Sequence, residues 1–280
     1  MTGTMMNNFL LPLLAIFMSI LPSLHAAVPE IVAHRGASHD APENTLASMR
    51  LGWEQGADAV ETDIFLTADN RVVCLHDKDL KRTAGVERAV VEMTLAEVRE
   101  HEAGAWKHPK WAGEPIPLLK HVLMTVPADK RIFVEIKTGP EITPFLVGEI
   151  RASGLRPAQV AFISFNAESC AAIKQALPEH KVLLLSGFKF NDAGVREPSL
   201  ESVIETAQSL GLDGIDVSFK GELTADEVAR VKQAGLFLAM YTVNEPGVAI
   251  DLAHNGVDSI TTDKPAEIRA ALQAAQAAAQ

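Results

Sequence analysis

Residues Arg131–Asn166, RIFVEIKTGPEITPFLVGEIRASGLRPAQVAFISFN, carry the pattern that decides the fold. Arg131–Lys137 is a short run rich in β-branched and aromatic residues. Glu141–Ala152 spaces its apolar residues at helical period and is followed by Gly154, and Val160–Asn166 is apolar again over a strand's length. A strand, a helix and a second strand in this order predict a parallel pair joined by a crossover helix. Outward from it, the same alternation predicts strands at Ile31–Gly36, Ala59–Leu66, Lys181–Ser186, Gly214–Phe219, Leu236–Val243 and Asp258–Thr262. Helices are predicted over Pro42–Gln55, Pro117–Val126, Ala167–Leu177, Ser199–Leu210, Thr224–Ala234, Pro246–Asn255 and from Pro265. Gly56, Gly211, Gly235 and Gly256 follow helical runs, and Thr224 with Glu227 reads as a capping box. Eight strand–helix units predict an α/β fold, a closed (β/α)8 TIM barrel, in preference to an open doubly wound sheet of five or six strands. Thr67–Pro115 is too long for a simple connection. It is expected as a small insertion after the second strand, with a strand at Val72–His76 and a helix at Thr94–Ala103.

The chain of 280 residues is 48% hydrophobic and 22% charged, a globular composition. Its net charge of −11, from 25 Lys+Arg against 36 Asp+Glu, argues against nucleic acid or an anionic membrane surface as partner. An anionic substrate therefore needs a local positive site. Cys74 and Cys170 are too few for a disulfide framework and are expected as buried thiols. No Lys, Arg, Asp or Glu precedes Glu30, and Phe9–Leu21 is apolar almost throughout but shorter than the roughly 20 residues that span a bilayer. This predicts a signal peptide over residues 1–26 and one barrel domain over residues 27–280. The mature protein is then periplasmic or secreted, with no stable membrane anchor.

In such barrels chemistry gathers where strands end at the C-terminal face. The first strand delivers His34, Arg35 and Gly36, a basic pair beside a residue that permits close backbone approach. On the second, Glu61 and Asp63 flank Thr62, so both carboxylates point inward. Two adjacent carboxylates repel unless a cation lies between them. The third strand repeats the device with Glu135, Ile136 and Lys137, so Glu61, Asp63 and Glu135 together suit one Ca²⁺ or Mg²⁺ through oxygen ligands. Arg35 and Lys137 supply the positive charge that a phosphate needs. The plain alternative is an inward salt-bridge layer. His76, after the apolar run Val72–Leu75, gives a second imidazole, and two imidazoles suffice for acid–base chemistry. The cation at Arg35 is expected to keep His34 neutral as base, and Asp77 to keep His76 charged as acid. His39, His101, His108, His121, His180 and His254 lie in loop or helix contexts and receive no role.

These residues, in this order, closely resemble the glycerophosphodiester phosphodiesterase family, itself similar to phosphatidylinositol-specific phospholipase C barrels. The resemblance runs through His34-Arg35-Gly36, Pro42-Glu43-Asn44-Thr45, Glu61-Thr62-Asp63, His76-Asp77, Glu135-Ile136-Lys137 and Ser164-Phe165-Asn166. It ends at Thr242-Val243-Asn244 and Thr262-Asp263-Lys264-Pro265. Each triplet is weak alone; the ordered set is specific. The resemblance implies hydrolysis of a glycerophosphodiester to sn-glycerol 3-phosphate and an alcohol. By position His34 and His76 are then the acid–base pair, Arg35 and Lys137 bind phosphate, and Glu61, Asp63 and Glu135 hold the metal. It also implies that Glu43 and Asn44 steady the site. The family usually has Trp where this chain has Tyr241, which alters the wall facing the glycerol. Ser164, Asn166, Asp216 and Asn244 are candidates for a supporting shell, with hydrogen bonding among strand ends the simpler account. Trp106 and Trp111 of the insertion are candidates for the site wall or for packing.

Other readings keep the site and change the use. Lysophospholipids or phosphoinositide-like diesters would be alternative substrates. A non-catalytic phosphodiester-binding protein would need the cations and metal but not two strand-end histidines.

Overall fold

Eight parallel strands close into a ring in the computed structural model, which describes residues 28–279. The leader expected over residues 1–26 lies outside the described residues. The strands are β1 (Glu30–Ala33), β2 (Ala59–Leu66), β3 (Arg131–Ile136), β4 (Val160–Ser164), β5 (Lys181–Ser186), β6 (Gly214–Ser218), β7 (Phe237–Tyr241) and β8 (Ser259–Thr262). Each pairs with its sequence neighbours in the barrel, and β1 closes the ring by pairing β8 through Val32↔Thr261 and β2 through Val32↔Ala59. The predicted (β/α)8 barrel is the observed one. Between the strands run α1 (Leu46–Glu54), α2 (Leu119–Leu123), α3 (Thr143–Ser153), α4 (Ala167–Ala176), α5 (Leu200–Ser209), α6 (Ala225–Gln233) and α7 (Pro246–His254), with α8 (Pro265–Ala278) after β8. The box predicted at Thr224 and Glu227 caps α6 from both sides.

Period-two alternation divides the burial. Inward residues Val32, Ala59, Phe133, Ala161, Leu183 and Ala239 fill the barrel, small ones offsetting the bulk of Phe133. Outward residues such as Val60, Val134, Phe162 and Ile215 pack under the helices. Because both faces of each strand are covered, the strands read as apolar runs, with charged residues at some N-terminal ends, Glu30, Arg131 and Lys181, and polar ones toward the C-terminal ends.

The insertion at Thr67–Pro115 has an apolar cluster of its own, including Val73, Leu80, Met93, Val98 and Leu118, against Phe65 of β2. Its elements are shorter than the sequence predicts. The strand spans Val72–Cys74, antiparallel to β2, and the helix spans Leu95–Val98. Beyond the helix, Glu102 accepts from the backbone N–H groups of Gly104, Ala105 and Gly113, so the residues up to Ala103 lie in turns and not in the predicted helix. Between β5 and α5 a small hairpin of Lys189–Phe190 and Arg196–Glu197 is an element the sequence reading omits. Cys74 and Cys170 are both buried and free. Among the described residues, no helix is long and apolar enough to cross a membrane.

Candidate active site

Strand β1 stops at Ala33, three residues before its predicted end, because the next residues leave the sheet. Arg35 and Gly36 both adopt positive φ, 54° and 77°. A Cβ on Gly36 would lie 2.4 Å from the Ser48 backbone carbonyl carbon, so only glycine fits this close approach to α1. The turn throws His34 and Arg35 over the barrel mouth. His34 is tied to β8 by its own N–H, which donates to the Thr262 carbonyl at 2.8 Å.

The inward triplets meet as their spacing requires. Register pairs Asp63 directly with Glu135, and carboxylate oxygens of Glu61, Asp63 and Glu135 lie within 4.8 Å of one another. All three side chains are buried. Lys137 Nζ donates to Glu135 Oε1 at 2.7 Å and lies 3.2 Å from Asp63 Oδ1. Arg35 donates its backbone N–H to Glu61 Oε2 at 2.9 Å, its Nη1 to Glu43 Oε1 at 3.0 Å, and sets Nε 3.3 Å from Asp63 Oδ2. Burial and the neighbouring Asp63 push the Glu61 and Glu135 carboxyls up. Against burial, Lys137 and Arg35 hold Asp63 down at about 2. Glu61 Oε1 is inaccessible and has no hydrogen-bond partner, and Asp63 Oδ1, inaccessible too, has only the ion-pair contact with Lys137. Three converging carboxylates, one with an orphaned oxygen, form an all-oxygen donor set, and that set fits a hard divalent cation.

Each histidine is backed by a carboxylate. His34 Nδ1 lies 2.7 Å from Asp263 Oδ1, and His76 Nδ1 lies 2.7 Å from Asp77 Oδ1, which leaves Nε2 of each ring for chemistry. Asp263 also accepts from Ser38 Oγ and Asn244 Nδ2. Against burial, these bonds hold its carboxyl well below the usual range. The expected charge on His76 is corrected: burial lowers its pKa, and this outweighs the attraction of Asp63 and the Asp77 bond.

One bracing device appears twice. Asn44 Nδ2 donates to Asp63 Oδ2, while Asn44 Oδ1 accepts from Thr62 Oγ1 and the Asp63 N–H, at 2.8–3.0 Å. Asn244 treats Thr262 and Asp263 in the same way, at 2.6–3.1 Å. An asparagine from a loop thus fixes one carboxylate on each side of β1, Asp63 within β2 and Asp263 just after β8.

A cavity of about 170 Å³ opens among these groups. Its ionic side is His34, Arg35, Glu61, His76, Glu135 and Lys137; its apolar side is Ile163, Phe165, Leu185 and Tyr241, with Asp216, Thr242 and Thr261. Ser164 and Asn166 do not line it. Ser164 Oγ donates to the Ile136 carbonyl, and Asn166 caps α4, the strand-end role anticipated for them. Trp106 and Trp111 lie off the cavity as well. The Trp106 ring stacks on Arg82, 5.5 Å from its guanidinium, and Trp111 packs under Lys110. The sequence reading gives no role to Asp263 or Arg82. Arg82 Nε donates to Asp77 Oδ2, and its two terminal nitrogens grip Glu43.

This barrel superposes on solved phosphodiesterases. A phosphodiesterase from Oleispira antarctica, in complex with the product sn-glycerol-3-phosphate, superposes with a TM-score of 0.78 at 27% identity, covering 88% of this chain and 97% of that one. A glycerophosphodiester phosphodiesterase from Agrobacterium tumefaciens gives 0.72 at 25% identity, covering 86% and 99%. Residues 34–267 match the glycerophosphoryl diester phosphodiesterase family, and the chain belongs to that family of enzymes. A glycerophosphodiester phosphodiesterase from Caldanaerobacter subterraneus subsp. tengcongensis is 32% identical over 240 residues, 84% of this chain and 94% of that protein. One from Bacillus subtilis is 29% identical over 250 residues, 84% and 83% of the two chains.

Proposed function

We propose that the protein hydrolyses glycerophosphodiesters to sn-glycerol 3-phosphate and an alcohol, using one divalent cation, Ca²⁺ or Mg²⁺, and acid–base catalysis by His34 and His76. The observation that carries this reading is the convergence on one cavity of two carboxylate-backed imidazoles, two cations and three clustered carboxylates. Glu61, Asp63 and Glu135 would hold the cation. When bound, it supplies positive charge toward the phosphate oxygens and lowers the cost of charge developing there. Arg35 and Lys137 draw the phosphate into the mouth, the guanidinium as a fork and the ammonium as a point charge. His76, whose pKa burial lowers, takes the proton of the attacking oxygen, which belongs either to water or to a glycerol hydroxyl that closes a cyclic phosphate for water to open. His34, positioned by the ionised Asp263, gives a proton to the departing alkoxide as its bond to phosphorus breaks.

Turnover of glycerophosphocholine by the purified protein, with each metal added after exhaustive chelation, tests the reading. Release of sn-glycerol 3-phosphate is expected only with metal. Faster turnover of a lysophospholipid or a glycerophosphoinositol in the same assay would move the substrate class, and binding without turnover would leave a capture protein. The apolar leader supports export to the periplasm or medium, with the mature chain beginning after Ala26 or Ala27. N-terminal sequencing of protein recovered from the producing cells decides this, and a retained Met1 would rule it out.

A further inference from the structure

The cavity's two walls differ in kind. The ionic wall comes from β1, β2, β3 and the insertion, and the apolar wall from β4, β5 and β7. Into the apolar half β6 inserts one carboxyl, Asp216, in register with Leu185 on one side and Ala239 on the other. Asp216 lines the cavity yet is only 1% exposed, and its Oδ1 is inaccessible and without a hydrogen-bond partner. A carboxyl left this way is costly to the fold, and a group kept at such a cost inside a cavity points to a ligand that satisfies it.

The place of the phosphate limits what that ligand group can be. With its charge drawn to Arg35 and Lys137, an ester arm extends toward the apolar half. At about 170 Å³ the cavity falls below the roughly 300–1,000 Å³ of drug-sized ligand sites. It therefore holds a phosphate and one small arm, while the other arm leaves by the rim, where Phe165 is 54% exposed. An alkyl arm would ask for an apolar wall alone. A polyol arm brings hydroxyls that need an acceptor within that wall, and Asp216 offers two oxygens.

Resting on the diesterase reading, we propose that Asp216 is the specificity residue that accepts the hydroxyl hydrogens of the glycerol arm, so that the site selects polyol phosphates over alkyl phosphates of equal length. The test is calorimetric binding of sn-glycerol 3-phosphate and n-propyl phosphate to the full-length protein with metal present, for wild type, Asp216→Val and Asp216→Asn. Wild type should prefer the glycerol compound by about 10-fold, as two hydrogen bonds to the oxygens of a buried carboxyl allow. Asp216→Val removes an unsatisfied buried carboxyl at similar volume, so it should melt no lower than wild type while its preference falls to about one. Should the valine variant not fold, Asp216→Asn decides, with a preference reduced at least about threefold by exchange of one acceptor oxygen for an amide donor. An unchanged preference in the variants, or none in wild type, overturns the proposal. Failure of the diesterase reading shows differently: wild type binds neither compound and does not turn over glycerophosphocholine, and the inference falls with it.

Discussion

Arg82 sets its two terminal nitrogens 2.8 and 2.7 Å from the two oxygens of Glu43, a fork-to-fork pair that docks the insertion onto the loop before α1. Through Glu43 it meets Arg35, and through Asp77 it meets His76, so one guanidinium braces both the proposed phosphate ligand and a proposed acid–base group. Arg82→Lys keeps the charge and loses the fork. It should lower kcat/KM for a glycerophosphodiester by about 10-fold, at the low end for loss of a supporting shell, with the circular dichroism spectrum unchanged. Wild-type kinetics in Arg82→Lys would reduce the pair to a surface contact.

The His34–Asp263 pair predicts a second loss. Asp263→Asn leaves the size of the side chain and removes the anion behind the imidazole. It should lower kcat more than KM, by about 10²-fold. Stability should respond to acid in a defined direction. The folded carboxyl titrates below its unfolded value, so its contribution is present above about pH 4 and is lost as pH falls through the folded value. The difference in Tm between wild type and Asp263→Asn should therefore be full at pH 7 and shrink toward pH 3. A gap that widens in acid contradicts this.

Leaving groups separate the two histidines. If His34 is the acid, His34→Ala should slow a choline ester far more than a p-nitrophenyl ester, whose phenolate needs little protonation. His76→Ala should slow both, by about 10²- to 10⁴-fold. The opposite pattern would exchange the roles, and no effect from either substitution would remove both from the mechanism.

Crowding among the three carboxylates sets the response to metal. Without a cation, Glu61→Gln or Glu135→Gln relieves repulsion between buried acids and should raise Tm. Added Ca²⁺ or Mg²⁺ should raise the Tm of wild type and not of these variants, because only a bound ligand stabilises by mass action. Equal metal shifts in all three proteins would place the ion elsewhere.

What was legible in the sequence was local. Glu61 and Asp63, or Glu135 and Lys137, share a face because the strand repeats every two residues, and no distant contact is needed to see it. Nothing local marks Asp263 as the partner of His34, since the two meet only where β8 closes on β1. Arg82 lies in a segment whose short elements follow side-chain turns more than periodicity, so its grip on Glu43 could not be read from spacing. Asp77 was legible as a neighbour of His76 but misleading as a charge, because the burial that outweighs it is a property of the folded mouth.

The join between β1 and β8 also sets a timetable for the growing polypeptide. His34 emerges early and Asp263 very late, so during synthesis the ring remains a half-made hoop without its buttressed imidazole. Hydrolysis is then the last capability the molecule acquires. A chain interrupted before its final strand would carry nearly every reactive group and still be idle, and two separately made fragments that reassembled would announce the repair of the hoop by the return of turnover.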